Sequence, residues 1–224
     1  MRDPANTIIF AGPTLLGVRE PELSVLRRMQ IHPPVKRGSV EAIVGSSDPG
    51  TMIIVDGQFH QCLSVGHAEI RLALKTGWEV WGLSSMGAIR AYEMRDLGMK
   101  GYGRVFQQFF AREDFQDDEV ALLHAVDPPF RPFSEPMVHL SAAAAELEQR
   151  NLLTKADAAF LTSYLKSLWY GDRTIALLLE VSATLCRPRN RKRIKAVLAP
   201  FDRFRWKTLD LIDFLDEVAP QLQS

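Results

Sequence analysis

Three short apolar runs constrain this chain more than any other feature. Thr7-Ile8-Ile9-Phe10, Thr51-Met52-Ile53-Ile54-Val55 and Trp78-Glu79-Val80-Trp81-Gly82-Leu83 are rich in β-branched or aromatic residues. Each closes on turn or loop residues: Gly12-Pro13, Asp56-Gly57 and Ser84-Ser85. Continuous runs of this length, bounded by such signals, fit strands buried in a parallel sheet. Between the second and third, Ser64 to Lys75 carries Val65, Ala68 and Leu72, with Ile70 and Leu74, at helical spacing, and Gly77 follows as a stop. Strand, helix, strand is a βαβ unit. A second helix is expected from Gly87 to Arg95, stopped by Gly98, and Glu119 to His124 reads as a fourth strand.

The second half changes character. Ser134-Glu135-Pro136 resembles a helix start, and the alanine-rich stretch to Glu148 has high helix propensity. Thr154 caps a helix to Trp169, Arg173 to Cys186 forms another, and Trp206 to Val218 closes the chain as a last helix. The expected fold class is α/β, a Rossmann-like and mostly parallel sheet with a C-terminal helical domain. The α/β core is expected over residues 1–127 and the helical domain over 128–224.

Composition excludes several functions. The 224 residues include 27 basic and 27 acidic side chains, and apolar residues make up 46%. Such a chain is neither disordered nor a strongly basic nucleic-acid coater. No apolar run approaches the ~20 residues that span a bilayer. Met1 to Asn6 lacks the apolar core of a signal peptide. Cys62 and Cys186 stand alone, outside any metal-type pair, and Cys62 reads as a small buried hydrophobe. No metal, nucleotide or other cofactor is expected, because phosphate-loop, dinucleotide and metal-ligand motifs are missing. The expected location is the cytoplasm.

The zero net charge hides segregation. Arg112 to Asp127 holds six acids and one base, whereas Arg187 to Lys207 holds nine bases and one acid. Either block reads as a solvated face or as a docking surface for an oppositely charged partner. Arg187, Arg189, Arg191, Lys192 and Arg193 are the candidate partner-binding residues.

In open parallel sheets, ligands bind at the carboxyl ends of strands. The loops Gly12-Pro13-Thr14, Asp56-Gly57 and Ser84-Ser85-Met86-Gly87 would share that edge if their strands are parallel neighbours. The last resembles half of a nucleophile elbow: Ser85 has Gly87 two residues on, and Ser84 has Gly82 two before. The same loop can cradle an anion, or simply cap a helix. Taken as a catalytic site, Ser85 is the nucleophile, His67 the base and Asp56 the acid that orients it. His67 shares a stripe with Ile70 and Leu74, so it is expected to lean inward. Met86, Gly87, Ser84, Gly12, Thr14, Gly57, Arg90 and Glu93 are candidate oxyanion or substrate contacts. Arg90 and Glu93, spaced i, i+3, are also placed to pair with each other. His32, His60, His124 and His139 have no partner spacing.

Several blocks together resemble the TfuA-like protein family. They are Phe10-Ala11-Gly12-Pro13-Thr14-Leu15, His32-Pro33-Pro34, Val55-Asp56-Gly57-Gln58-Phe59, His67-Ala68-Glu69-Ile70, Ser84-Ser85-Met86-Gly87-Ala88-Ile89-Arg90-Ala91, Gly98-Met99, Gly101-Tyr102-Gly103-Arg104-Val105-Phe106, Asp117-Asp118-Glu119-Val120 and Arg131-Pro132-Phe133-Ser134-Glu135. The resemblance runs from Ile8 to Leu140, and the Ser-Met-Gly-Ala block is its most specific part. Leu83, Ile89 and Tyr92 depart from the usual family residues without touching the polar positions. The resemblance implies a companion of a YcaO enzyme in thioamide formation on peptide backbones. There the YcaO enzyme uses ATP to activate an amide oxygen, and a sulfur nucleophile displaces the phosphate. The TfuA-like companion is implied to release sulfide from a thiocarboxylated ThiS-like sulfur carrier, or to activate the YcaO enzyme. Three expectations follow: a serine/histidine hydrolase of the carrier thiocarboxylate, a non-catalytic activator, or a small-molecule binding module on the same edge.

Overall fold

The computed structural model describes residues 6–59 and 62–222. Residues 1–5, which carry most of the amino-terminal reading, and His60 lie outside them. Within the described residues, β1 (Thr7–Phe10), β2 (Gln30–His32), β3 (Thr51–Ile54), β4 (Glu79–Leu83) and β5 (Lys100–Tyr102) form one sheet in the order β2-β1-β3-β4-β5. Every pairing is parallel. The three apolar runs are the central strands, as their composition requires. The edge strands β2 and β5 went unread: each has three residues and a largely polar sequence, so neither shows an apolar run.

The intervening helices are α1 (Glu22–Leu26), α2 (Ser39–Val44), α3 (His67–Lys75) and α4 (Met86–Met94), with α5 (Gly103–Ala111) after β5. Side chains alternate across a strand. Ile9, Ala11, Ile53, Val55 and Leu83 therefore share one face, and they pack with Leu26 against Leu211, Phe214 and Leu215. Those last residues belong to the closing helix, α10 (Trp206–Glu217). Trp81 meets the Phe214 ring edge-on at 5.4 Å. The opposite register, Ile8, Met52 and Ile54, is fully buried too.

Two glycines set how closely α4 lies on the sheet. A Cβ on Gly87 would collide with the Ile54 carbonyl, and one on Gly82 with the Gly87 carbonyl. The half-matches to an elbow motif thus have a packing cause, since both glycines let backbone approach backbone.

The chain divides into two compact units, Met1–Phe115 with Lys207–Ser224, and Gln116–Trp206. The division differs from the boundary read at 127/128. The closing helix packs on the sheet because Leu211, Phe214 and Leu215 complete its core. Glu119 to His124 forms no strand of the sheet. It begins in a 3-10 turn, Asp117–Glu119, and His124 makes only an isolated antiparallel bridge to Pro132. Val120 and Ala121 are buried within the second unit, which accounts for their apolar character.

The second unit is built from α6 (Met137–Gln149), α7 (Lys155–Ser167), α8 (Ile175–Leu185) and α9 (Arg191–Leu198) around Leu140, Leu147, Leu161, Leu165, Leu178 and Ile194. Thr154 caps α7 as its sequence predicts: its hydroxyl accepts the Asp157 N–H at 3.1 Å. Arg173, expected inside a helix, precedes α8 and is fully buried. Its guanidinium donates to Asp118 Oδ2 at 2.7 Å and to the Leu168 carbonyl at 2.8 Å. Part of the acidic block is thus consumed internally, for Glu119 likewise pairs with Lys166 at 2.8 Å. Glu135 is ion-paired to Arg205 and His139, each at 2.8 Å. Burial works against ionisation of Glu135, but those partners outweigh it and hold the carboxyl below its usual range.

Candidate functional site at the carboxyl edge of the sheet

The order 2-1-3-4-5 reverses direction between β1 and β3, and that switch point is where doubly wound sheets open a crevice. The loops after these strands are tied together there. Asp56 Oδ2 accepts the N–H groups of Gly12 at 2.9 Å and Thr14 at 3.0 Å, and its Oδ1 accepts the Thr14 hydroxyl at 2.7 Å. The Lys207 Nζ lies 3.6 Å from Oδ1, and both side chains are almost wholly buried. Thr208 adds a hydrogen bond to the Thr14 carbonyl at 3.1 Å. Gly57 belongs to the same cluster, since a Cβ there would strike the Met86 side chain.

The expected convergence of three loops is therefore present, but Asp56 does not orient His67. Its two oxygens hold the β1 loop and face a buried lysine. Sequence reasoning missed Lys207. Its signal is faint: a lysine in the first turn of a helix opposes the helix dipole, which suggests an anionic neighbour elsewhere in the fold.

The serine loop also rearranges the expected roles. The left-handed backbone falls on Ser84, at φ 64°, rather than on Ser85. A non-glycine residue in that region stores strain that the surrounding structure must hold. The Ser84 hydroxyl, fully buried, donates to the Lys207 carbonyl at 2.7 Å. Ser85 caps α4, is 1% exposed, and its hydroxyl makes no hydrogen bond among the described residues. The Gly87 N–H is taken by the Val55 carbonyl at 3.2 Å. The Met86 N–H, first in α4, has no acceptor within its own helix.

His67 opens α3 and is exposed, contrary to the expected inward lean. Its Nε2 lies 2.8 Å from Glu93 Oε2 on α4. Arg90 holds the same oxygen at 2.6 Å and donates to the Val65 carbonyl at 3.0 Å. Arg90 and Glu93 thus pair with each other and also orient the histidine. A histidine fixed through one nitrogen by a carboxylate presents its other nitrogen as a base. Neither Ser85 nor Asp56 hydrogen-bonds to His67 among the described residues. Cys62 is exposed rather than buried, with Sγ 2.7 Å from Gln58 Oε1.

A short distance away, Asp210 on α10 accepts the N–H groups of Arg104 at 2.8 Å and Val105 at 2.9 Å. Burial pushes its carboxyl up to about 6, against the pull of those donors.

Fold and site define a parallel α/β protein with its polar loops gathered at the switch point. A family model described as TfuA-like protein matches residues 56–174, more than half of the chain, and the chain belongs to that family. The match takes in Asp56, His67, Ser84 to Gly87, Arg90 and Glu93, and it runs on into the helical unit, further than the sequence blocks suggest. Gly12, Thr14, Lys207 and the candidate partner-binding residues fall outside it. No curated protein matches the chain. Among the described residues, no helix is long and apolar enough to cross a membrane, and no group of His, Cys, Asp and Glu side chains is arranged to hold a metal.

Proposed function

We propose that this chain is the companion of a YcaO enzyme in peptide-backbone thioamidation, and that it releases sulfide from a thiocarboxylated ThiS-like carrier. The exposed His67–Glu93 contact at the strand-end side of a TfuA-like chain carries this reading. In the proposed step a water adds to the thiocarboxylate carbon and gives its proton to His67. The C–S bond then breaks, sulfur leaves as hydrosulfide with the proton returned by His67, and the carrier's new carboxyl group gives the second water proton to solvent. Glu93 stabilises the charged imidazole, and Arg90 positions Glu93. The Met86 N–H and the Ser85 hydroxyl face the developing oxyanion. The nucleophile is water rather than Ser85, because no base reaches the Ser85 hydroxyl.

The test is to mix purified protein with thiocarboxylated carrier and follow sulfide and carrier mass. His67→Ala should slow release at least about 100-fold, the usual worth of a general base. Ser85→Ala should have a smaller effect. Release by both variants at the wild-type rate rejects the hydrolytic reading.

A second reading is a non-catalytic activator that shifts the YcaO enzyme to its competent state. The sequestered Asp56 and the unlinked Ser85 favour it. The docking surface in this reading is the exposed basic segment, Arg187, Arg189, Arg191, Lys192 and Arg193. Charge reversal there should abolish co-purification with the YcaO enzyme, and in this reading the wild-type chain alone releases no sulfide from free carrier.

A further inference from the structure

Two turns of the helical unit border an open cleft of about 600 Å³ that no step of the proposed function uses. Its size falls within the ~300–1,000 Å³ of small-molecule sites. The α6–α7 turn and the α8–α9 turn form its walls, and both are fixed. Asn190, 7% exposed, donates from Nδ2 to the Leu152 carbonyl at 3.1 Å and so ties one turn to the other. The Thr154–Asp157 capping box holds the first turn. Leu152 and Cys186 give the cavity a buried apolar floor.

Charge decides what it takes. Arg150, Arg187, Arg189 and Arg193 line it, against a single acid, Asp157. Asp157 is committed to Thr154, at 2.6 Å, and Arg150 to Glu146, also at 2.6 Å. The side chains of Arg187, Arg189 and Arg193 have no hydrogen-bond or ion-pair partner among the described residues. Three uncompensated guanidinium groups thus line one open cleft with an apolar base. Elsewhere in the same basic stretch, Arg203 pairs with Glu146 at 3.8 Å and Arg205 with Glu135.

We propose that this cavity is a binding site for a small polyanion, a phosphate ester carrying two or more negative charges. Guanidinium forks match phosphate oxygens two at a time, and the apolar floor receives the ester's organic body. The basic segment then splits by role. Arg187, Arg189 and Arg193 serve the cavity, whereas Arg191, Lys192 and Lys195 do not line it.

Calorimetry of the full chain with inorganic tripolyphosphate, at physiological salt to suppress diffuse attraction, tests the assignment. One site should bind. Arg189→Gln with Arg193→Gln should weaken binding at least tenfold, since charged hydrogen bonds are lost. Lys192→Gln with Lys195→Gln should leave it within about twofold, because neither lysine lines the cavity. Citrate, a compact tricarboxylate, should bind at least tenfold more weakly than tripolyphosphate. Absence of tripolyphosphate binding overturns the proposal, as does equal weakening by the lysine pair. Citrate binding as tightly overturns the assignment to phosphate. Unchanged melting temperatures in the two double variants exclude misfolding as the cause.

Discussion

The carboxyl edge of the sheet and the arginine-lined cavity treat charge in opposite ways. At the edge, Asp56 is buried and meets two backbone N–H groups, a hydroxyl and the Lys207 ammonium. In the cavity, Arg187, Arg189 and Arg193 stay exposed and unpartnered among the described residues. A buried charge must be compensated inside the fold or it unfolds the region around it. An exposed charge is solvated, and it remains available to a ligand. The edge charges therefore hold the loops in place, and the proposed chemistry is assigned to the exposed His67–Glu93 pair. The cavity charges are available for recognition.

Asp56→Ala should break the edge most severely. It removes the carboxylate facing Lys207 and leaves three donors without their acceptor, and should destabilise its unit by about 3–5 kcal/mol. Urea denaturation read at Trp81 and its neighbours measures that loss. Asp210 comes next. Its raised carboxyl, about 6 against an ordinary 3.8, contributes stability below pH 4 that is lost as pH rises through 6. The stability deficit of Asp210→Asn relative to wild type should therefore shrink between pH 4 and 7, by about 3 kcal/mol at most. A deficit that does not change with pH contradicts the buried-carboxylate account. Thr154→Ala removes the cap from a wall of the cavity and should cost about 1 kcal/mol. Arg189→Gln should change stability by less than about 0.5 kcal/mol, since no internal partner is lost. A large loss at Arg189 would erase the contrast between the two regions.

The central strands were legible because burial on both faces leaves an uninterrupted apolar run. Edge strands β2 and β5 were not, since Gln30, His32 and Lys100 are polar residues that leave no apolar run in these short strands. Loop convergence at the switch point followed from strands ending in Gly12, Asp56 and Ser84. The partner of His67 did not follow. Glu93 lies 26 residues away on the next helix, and local spacing does not encode a meeting at that separation. Lys207 was hidden for the same reason. It reaches Asp56 only because the closing helix returns to the sheet. The elbow-like glycines misled in a physical sense: Gly82 and Gly87 are required by the close approach of α4, whatever the serines do.

Single-turnover sulfide release from a thiocarboxylated carrier, compared among wild type, His67→Ala and Glu93→Gln, tests the central claim most directly. Release should be at least about 100-fold slower without the imidazole, with a smaller loss when Glu93 is neutralised and melting temperatures unchanged in both. Equal rates in all three proteins would contradict the claim and leave the activator reading in its place.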